Sequence, residues 1–147
     1  MKNARSLIGL PVIREGRDLG RVSAVELNDD LHAVRGVYFS CGLAGTRFIG
    51  RSDLELIGDV AVLVRGAGKR SMPHASSLPR RALSPDGSRL GAITDAFIDE
   101  ETLAIPMLEL SGGFFDDLTG GRTRIGAFSV TQDGDVVIET SEGDDRP

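Results

Sequence analysis

Apolar residues fall in short runs along this chain, interrupted by Gly, Arg or Asp within a few residues. The run 7–13 predicts a first strand, with Pro11 marking a sheet edge or the strand's end. A polar turn at 14–18 leads into a strand over 19–27, and Asn28-Asp29-Asp30 supplies the next turn, since such side chains bond their own backbone. Positions 34–39, with Val34, Val37, Tyr38 and Phe39, predict a third strand. Gly42 and Gly45 bracket a loop, 48–49 is a very short strand, and 51–53 suits the start of one helical turn or a 3₁₀ turn. Residues 54–57 then meet a Gly58-Asp59 hairpin turn, and 59–64 closes the unit. No stretch in this half sustains helical periodicity over three turns. Short strands with regular turn signals predict a barrel or sandwich.

The pattern then repeats. Gly16-Arg17-Asp18-Leu19-Gly20-Arg21-Val22 returns as Gly87-Ser88-Arg89-Leu90-Gly91-Ala92-Ile93, at a constant spacing of 71 residues that also relates Asn28 to Asp99. Leu83 falls in the place of Val12, 90–98 in that of 19–27, and 104–110 in that of the third strand. An insertion around 115–119 raises the spacing to 76, after which Gly134-Asp135-Val136 restates Gly58-Asp59-Val60. A repeat of this kind fixes the architecture before any other feature does. The expected organisation is one module over 1–66, a Gly- and Ser-rich linker over 67–78, a second module over 79–140 and an acidic tail over 141–147 that reads as disordered. Each unit has about 60–70 residues, a marginal size for burying a core alone. The halves are therefore expected to pack together or to oligomerise, and a swap between chains stays open at this stage.

The residues shared by the two copies resemble the PRC-barrel family. They are Leu19, Gly20, Val22, Asp29, Val37 and Gly58-Asp59-Val60 in the first, and Leu90, Gly91, Ile93, Asp99, Leu108 and Gly134-Asp135-Val136 in the second. That family takes its name from the cytoplasmic barrel of the photosynthetic reaction-centre H subunit. It also includes the C-terminal domain of a bacterial ribosome maturation factor. The resemblance implies an all-β chain of two tandem, small, partly open antiparallel β-barrels, used for protein interaction or assembly. It supplies no catalytic residues. The specific roles of those two members fit poorly: this chain has no transmembrane helix, and its halves resemble each other rather than pairing two different barrels.

Composition narrows the classes further. There is no Trp and aromatics are 5%, so the core must rest on Val, Ile and Leu. No apolar run is long enough to span a membrane as a helix. The first residues lack the pattern of a signal peptide, and Cys41 is the only cysteine, so a reducing cytoplasm is the expected location. The net charge of −5 conceals an asymmetry: residues 1–66 sum to +1, 67–78 to +2 and 79–147 to −8. Such a distribution bears on solubility and association rather than on fold.

Candidate chemistry is sparse. Gly20 and Gly91 precede strands rather than helices, so a turn or bulge is favoured over a phosphate loop. Asn28-Asp29-Asp30 and Asp99-Glu100-Glu101 lack the spacing of a calcium loop and read as solvated turns. His32 and His74 have no second His or Cys nearby, so no metal is expected. No nucleophile elbow is present. The chain is read as a non-enzymatic binding module with no catalytic residue and no cofactor. The candidate interaction surface comprises Arg14, Arg17, Arg21 and Arg35 with the non-repeated Phe114, Phe115, Asp116 and Asp117. The expected partner is a protein or a second copy, as in a homodimer. An RNA- or ribosome-associated maturation or adaptor role is the alternative. RNA is the weaker candidate, because lysine and stacking aromatics are few.

Overall fold

The structure is a computed structural model that describes residues 1–73, 77–112 and 123–139. Its first sheet is built around β3 (Arg17–Leu27), where Val22, Ala24, Val25 and Leu27 are buried. β3 lies between β2 (Pro11–Arg14) and β4 (Val34–Ser40). β5 (Thr46–Gly50) and then β8 (Lys69–Ser71) extend the sheet beyond β4. On the other side β7 (Val62–Val64) runs parallel to β2, and β6 (Leu54–Ile57) forms the outer edge. The second sheet repeats the plan around β10 (Arg89–Ile98). β9 (Arg80–Leu83) and β11 (Met107–Ser111) flank it, β14 (Val136–Ile138) runs parallel to β9, and β13 (Phe128–Val130) and β12 (Thr123–Ile125) are the edges. Both sheets are strongly curled, so the chain is all-β with two partly open half-barrels. The remaining pairings within the two sheets are antiparallel.

Curling requires the long strands to bend, and the repeated glycines are where they do. The β2–β3 register slips between Val12 opposite Gly20 and Ile13 opposite Asp18. The β9–β10 register slips in the same way, between Ala82 opposite Gly91 and Leu83 opposite Arg89. Gly20 has φ +152° and Gly91 φ +147°. A Cβ at Gly20 would lie 2.2 Å from the Ser40 carbonyl oxygen, and one at Gly91 would lie 2.5 Å from that of Ser111. Only glycine fits such a bulge.

The pairing also corrects three details of the sequence alignment. Ala82, not Leu83, stands where Val12 stands, because each is the residue opposite the bulge glycine. The second hairpin turn is one residue longer, Ser84 to Ser88, and its Ser84 N–H donates to the Ser88 carbonyl. Gly58-Asp59-Val60 and Gly134-Asp135-Val136 are identical in sequence but not in place: Val60 sits in a turn, 77% exposed, whereas Val136 opens β14 at 0%. Val62 is the buried first residue of β7 and occupies the equivalent position. The expected strand over 7–13 is shorter at its start. Ala4–Leu7 forms a 3₁₀ turn that buries Leu7, and Pro11, which has no N–H to donate, begins β2. Lys69–Ser71, within the stretch read as linker, pairs with β5 as a strand.

The two half-barrels are related by a pseudo-twofold axis. Ala33 and Ala104, which are 71 residues apart, pair with each other as an antiparallel bridge. The Val34 N–H donates to the Leu103 carbonyl, and its counterpart, the Ile105 N–H, donates to the His32 carbonyl. The chain also crosses between the sheets. β1 (Lys2–Asn3) leaves the first half and pairs with Phe97 and Ile98 of β10. At the equivalent place on β3, the Leu27 N–H donates to Ser77 Oγ from the segment that precedes the second half. One buried apolar cluster includes residues of both halves, among them Leu7, Phe39, Ile49, Ile93, Ile98 and Leu108. Two units too small to bury separate cores thus share one.

Candidate functional site

The arginines singled out from the sequence do not form one patch. Arg14 and Arg17 are cross-strand neighbours at the end of the β2–β3 hairpin. Arg14 Nε donates to the Arg65 carbonyl at 3.2 Å. Arg21 lies opposite Ser40, and its guanidinium donates to the Gly9 carbonyl at 3.4 Å. Arg35 is at the far end of β4, next to Gly36, which pairs with Glu26. There it faces Asp29 at 3.5 Å and Glu26 at 3.9 Å. Both ion pairs are partly solvated, and such pairs contribute little. Phe114, Phe115, Asp116 and Asp117 lie outside the described residues.

A more concentrated feature lies at one edge of the same sheet. β8 is the terminal strand beyond β5, so its outer N–H and C=O groups have no strand partner among the described residues. Arg47 of β5 stands between Phe39 of β4 and Arg70 of β8. Its Nε donates to the Ala67 carbonyl at 3.2 Å, which fixes the guanidinium beside Arg70. Lys69 and Arg70 are exposed, with no acidic partner among the described residues. Two hollows adjoin here and share Ala44 and Arg70. One, of about 320 Å³, is lined by Leu19, Phe39 and Cys41 with Arg47. The other, of about 540 Å³, runs between the 3₁₀ turn Gly42–Ala44 and the end of β8, and is lined by Leu43 and Met72. Leu43 is fully exposed and Met72 is 79% exposed. Other large apolar side chains are exposed singly, Ile8, Leu56 and Val60 among them; here two of them adjoin two cations on an open strand edge.

Sequence reasoning reaches this edge only in part, as non-repeated linker surface and not as a strand. Lys69, Arg70 and Met72 fall in the stretch read as linker, and Leu43 in a loop. The available signal is Leu43, set in a short loop between Gly42 and Gly45.

The acidic turn clusters bind their own backbone. Asp99 Oδ1 accepts from the Glu101 and Thr102 N–H groups at 2.8 and 3.1 Å, and these bonds, led by Thr102, hold its carboxyl below the usual range. Asp30 Oδ1 accepts from the His32 N–H at 2.9 Å. The Ser84 hydroxyl and the Ser88 N–H hold Asp86 at about 2. No group of three or more His, Cys, Asp or Glu side chains is disposed to hold a metal among the described residues. His32 stacks on Phe128 with ring centroids 4.3 Å apart, across the seam between the halves. Cys41 is half-buried at the end of β4. Burial, followed by the nearby Glu26 charge, raises the Tyr38 phenol above its ordinary value. Each perturbation has a structural cause within a turn or the core.

A further hollow, of about 410 Å³, lies on the seam, lined by Ser23 and its counterpart Thr94, with Ala4, Val25, Leu78 and Pro79. Beside it Asp95, 3% exposed, accepts from Asn3 Nδ2 and the Arg5 N–H, both at 3.1 Å, and from the Ala96 N–H at 2.8 Å. Two of these three hydrogen bonds hold the crossing N-terminal segment. Among the described residues, no helix is long and apolar enough to cross a membrane. Compared with known proteins, the chain matches no family model, and no curated protein is similar to it in sequence.

Proposed function

We propose that this chain is a non-enzymatic interaction or assembly module that recruits a protein through the outer edge of its first half-barrel. The observation carrying this reading is the β8 edge: an open strand, with Lys69 and Arg70 lacking acidic partners among the described residues and the exposed Leu43 and Met72 beside them. An open edge can take an added strand, with backbone hydrogen bonds providing affinity and flanking hollows selecting side chains. The resemblance of both repeats to the PRC-barrel family supports the same reading, since that family serves mainly in assembly. A cytoplasmic location is part of the proposal and accords with the lone, unpaired Cys41.

The test is affinity purification of the full chain from its native cell, with cross-linking through lysine and mass spectrometry. Lys69 is expected to be the main cross-linking site to a protein partner. Turnover of small molecules by the purified chain at enzyme-like rates would replace this reading with a catalytic one. Co-sedimentation with ribosomal subunits at moderate salt, with no protein cross-linked at Lys69, would replace it with the RNA-associated one.

A further inference from the structure

The occupant of the β8 edge can be narrowed from the chemistry of the site, taking the interaction reading above as given. The two adjoining hollows include apolar residues in their lining, Leu19, Phe39 and Cys41 in one and the exposed Leu43 and Met72 in the other. Arg70 borders both, Arg47 borders the first, and Lys69 precedes Arg70 on the open strand. A complementary ligand is an extended segment with two bulky apolar side chains and adjacent carboxylates. Aromatic side chains fill such hollows at low entropic cost, and arginine pairs well with carboxylates.

The chain itself contains a stretch of that composition. Residues 114–118 read Phe-Phe-Asp-Asp-Leu and include two of the six phenylalanines. They fall in the insertion that the first repeat lacks, so the barrel plan does not account for them. The acidic residues at 141–147, by contrast, come with no apolar residue that could enter the hollows. Single-stranded nucleic acid would require exposed aromatic faces for stacking, whereas Phe39 is wholly buried. The charge asymmetry agrees with docking between copies, since residues 67–78 carry +2 and 79–147 carry −8.

We propose that the β8 edge of one molecule receives residues 114–118 of a second copy of this chain. The assembly is then homotypic, made by a basic strand edge with apolar residues beside it and an acidic, aromatic segment.

Two measurements on the full chain test it. In light scattering, the weight-average mass should rise from monomer toward dimer or beyond as concentration increases, with a midpoint on the order of 100 µM. Raising the salt from about 0.05 to about 0.5 M should shift that midpoint to higher concentration. The second measurement uses a fluorescent peptide of residues 112–119 as the probe. It should bind the wild-type chain, and Arg70→Glu or Met72→Ser should weaken binding at least about tenfold, as should Ser at both phenylalanines of the peptide. The peptide keeps the result interpretable if a full-chain variant folds poorly. Circular dichroism and melting of Arg70→Glu separate lost binding from lost fold.

A chain that stays monomeric at every concentration and does not bind the peptide overturns the proposal. If Lys69 still cross-links to another protein in the cell, the interaction reading survives and only the homotypic occupant falls. If Lys69 cross-links to nothing, both fall. Binding of labelled single-stranded RNA at this edge, lost in Arg70→Glu and unaffected by the peptide, also overturns it.

Discussion

Asp95 shows how one substitution within a repeat can change the role of a position. Its counterpart, 71 residues earlier, is the buried Ala24. Ala24 needs only to pack, whereas Asp95 accepts three hydrogen bonds, two of them from the segment that crosses from the first half. Removing the carboxylate leaves those donors without their partner in a partly buried site beside the seam hollow. Asp95→Ala should therefore destabilise the chain by about 2–4 kcal/mol. Urea denaturation checks this, and a loss below about 0.5 kcal/mol would show that water or a rearranged Asn3 satisfies the donors. The sequence does not disclose this role. An Asp within an apolar strand reads as an interruption, and its partners are about ninety positions away, beyond the reach of local pattern. The turn carboxylates are legible because Asp30 and Asp99 bond N–H groups only two or three residues ahead.

At the scale of elements, most of the first sheet follows from its apolar runs, because β3, β4 and β6 are bounded by turn residues that leave little freedom. The bulge is legible as well: a glycine that precedes a strand, and returns at fixed spacing, marks a bend that a side chain would block. The register around it is not. Identity of Gly58-Asp59-Val60 with Gly134-Asp135-Val136 outweighs burial in a sequence alignment, and only pairing reveals that Val62 holds the equivalent place. β8 escapes because strand formation there depends on β5, and a three-residue polar strand carries no periodic signal. The bulge reading carries a direct prediction. Gly20→Ala and Gly91→Ala each add a left-handed-region strain of about 1–3 kcal/mol to an overlap with a strand carbonyl. The Gly50→Ala control has nothing nearer than 4.0 Å to meet and should cost far less. Equal melting temperatures for all three would show that the strands open at the bulge without penalty.

At the scale of the whole molecule, the repeat, the bridge and the crossing segments have one consequence. In a tandem of independent barrels each half would melt alone. Here the Ala33–Ala104 bridge lies on the pseudo-twofold axis, and the Val34–Leu103 and Ile105–His32 hydrogen bonds flank it symmetrically. β1 completes the other half's sheet, and a single apolar cluster draws residues from both. Losing one half would strip the other of an edge strand and of the apolar cover over its inner face. The cost of exposing that surface, about 25 cal/mol per Å², is large against the few kcal/mol by which a unit of this size is stable. The chain should therefore unfold as one cooperative unit. Calorimetry should give a van't Hoff enthalpy equal to the calorimetric one. In hydrogen exchange, Asp95→Ala, which lies in the second half, should lower the protection of β3 and β4 as much as that of β10 and β11. Two separable transitions, or a loss of protection confined to the second sheet, would instead describe two barrels that merely touch.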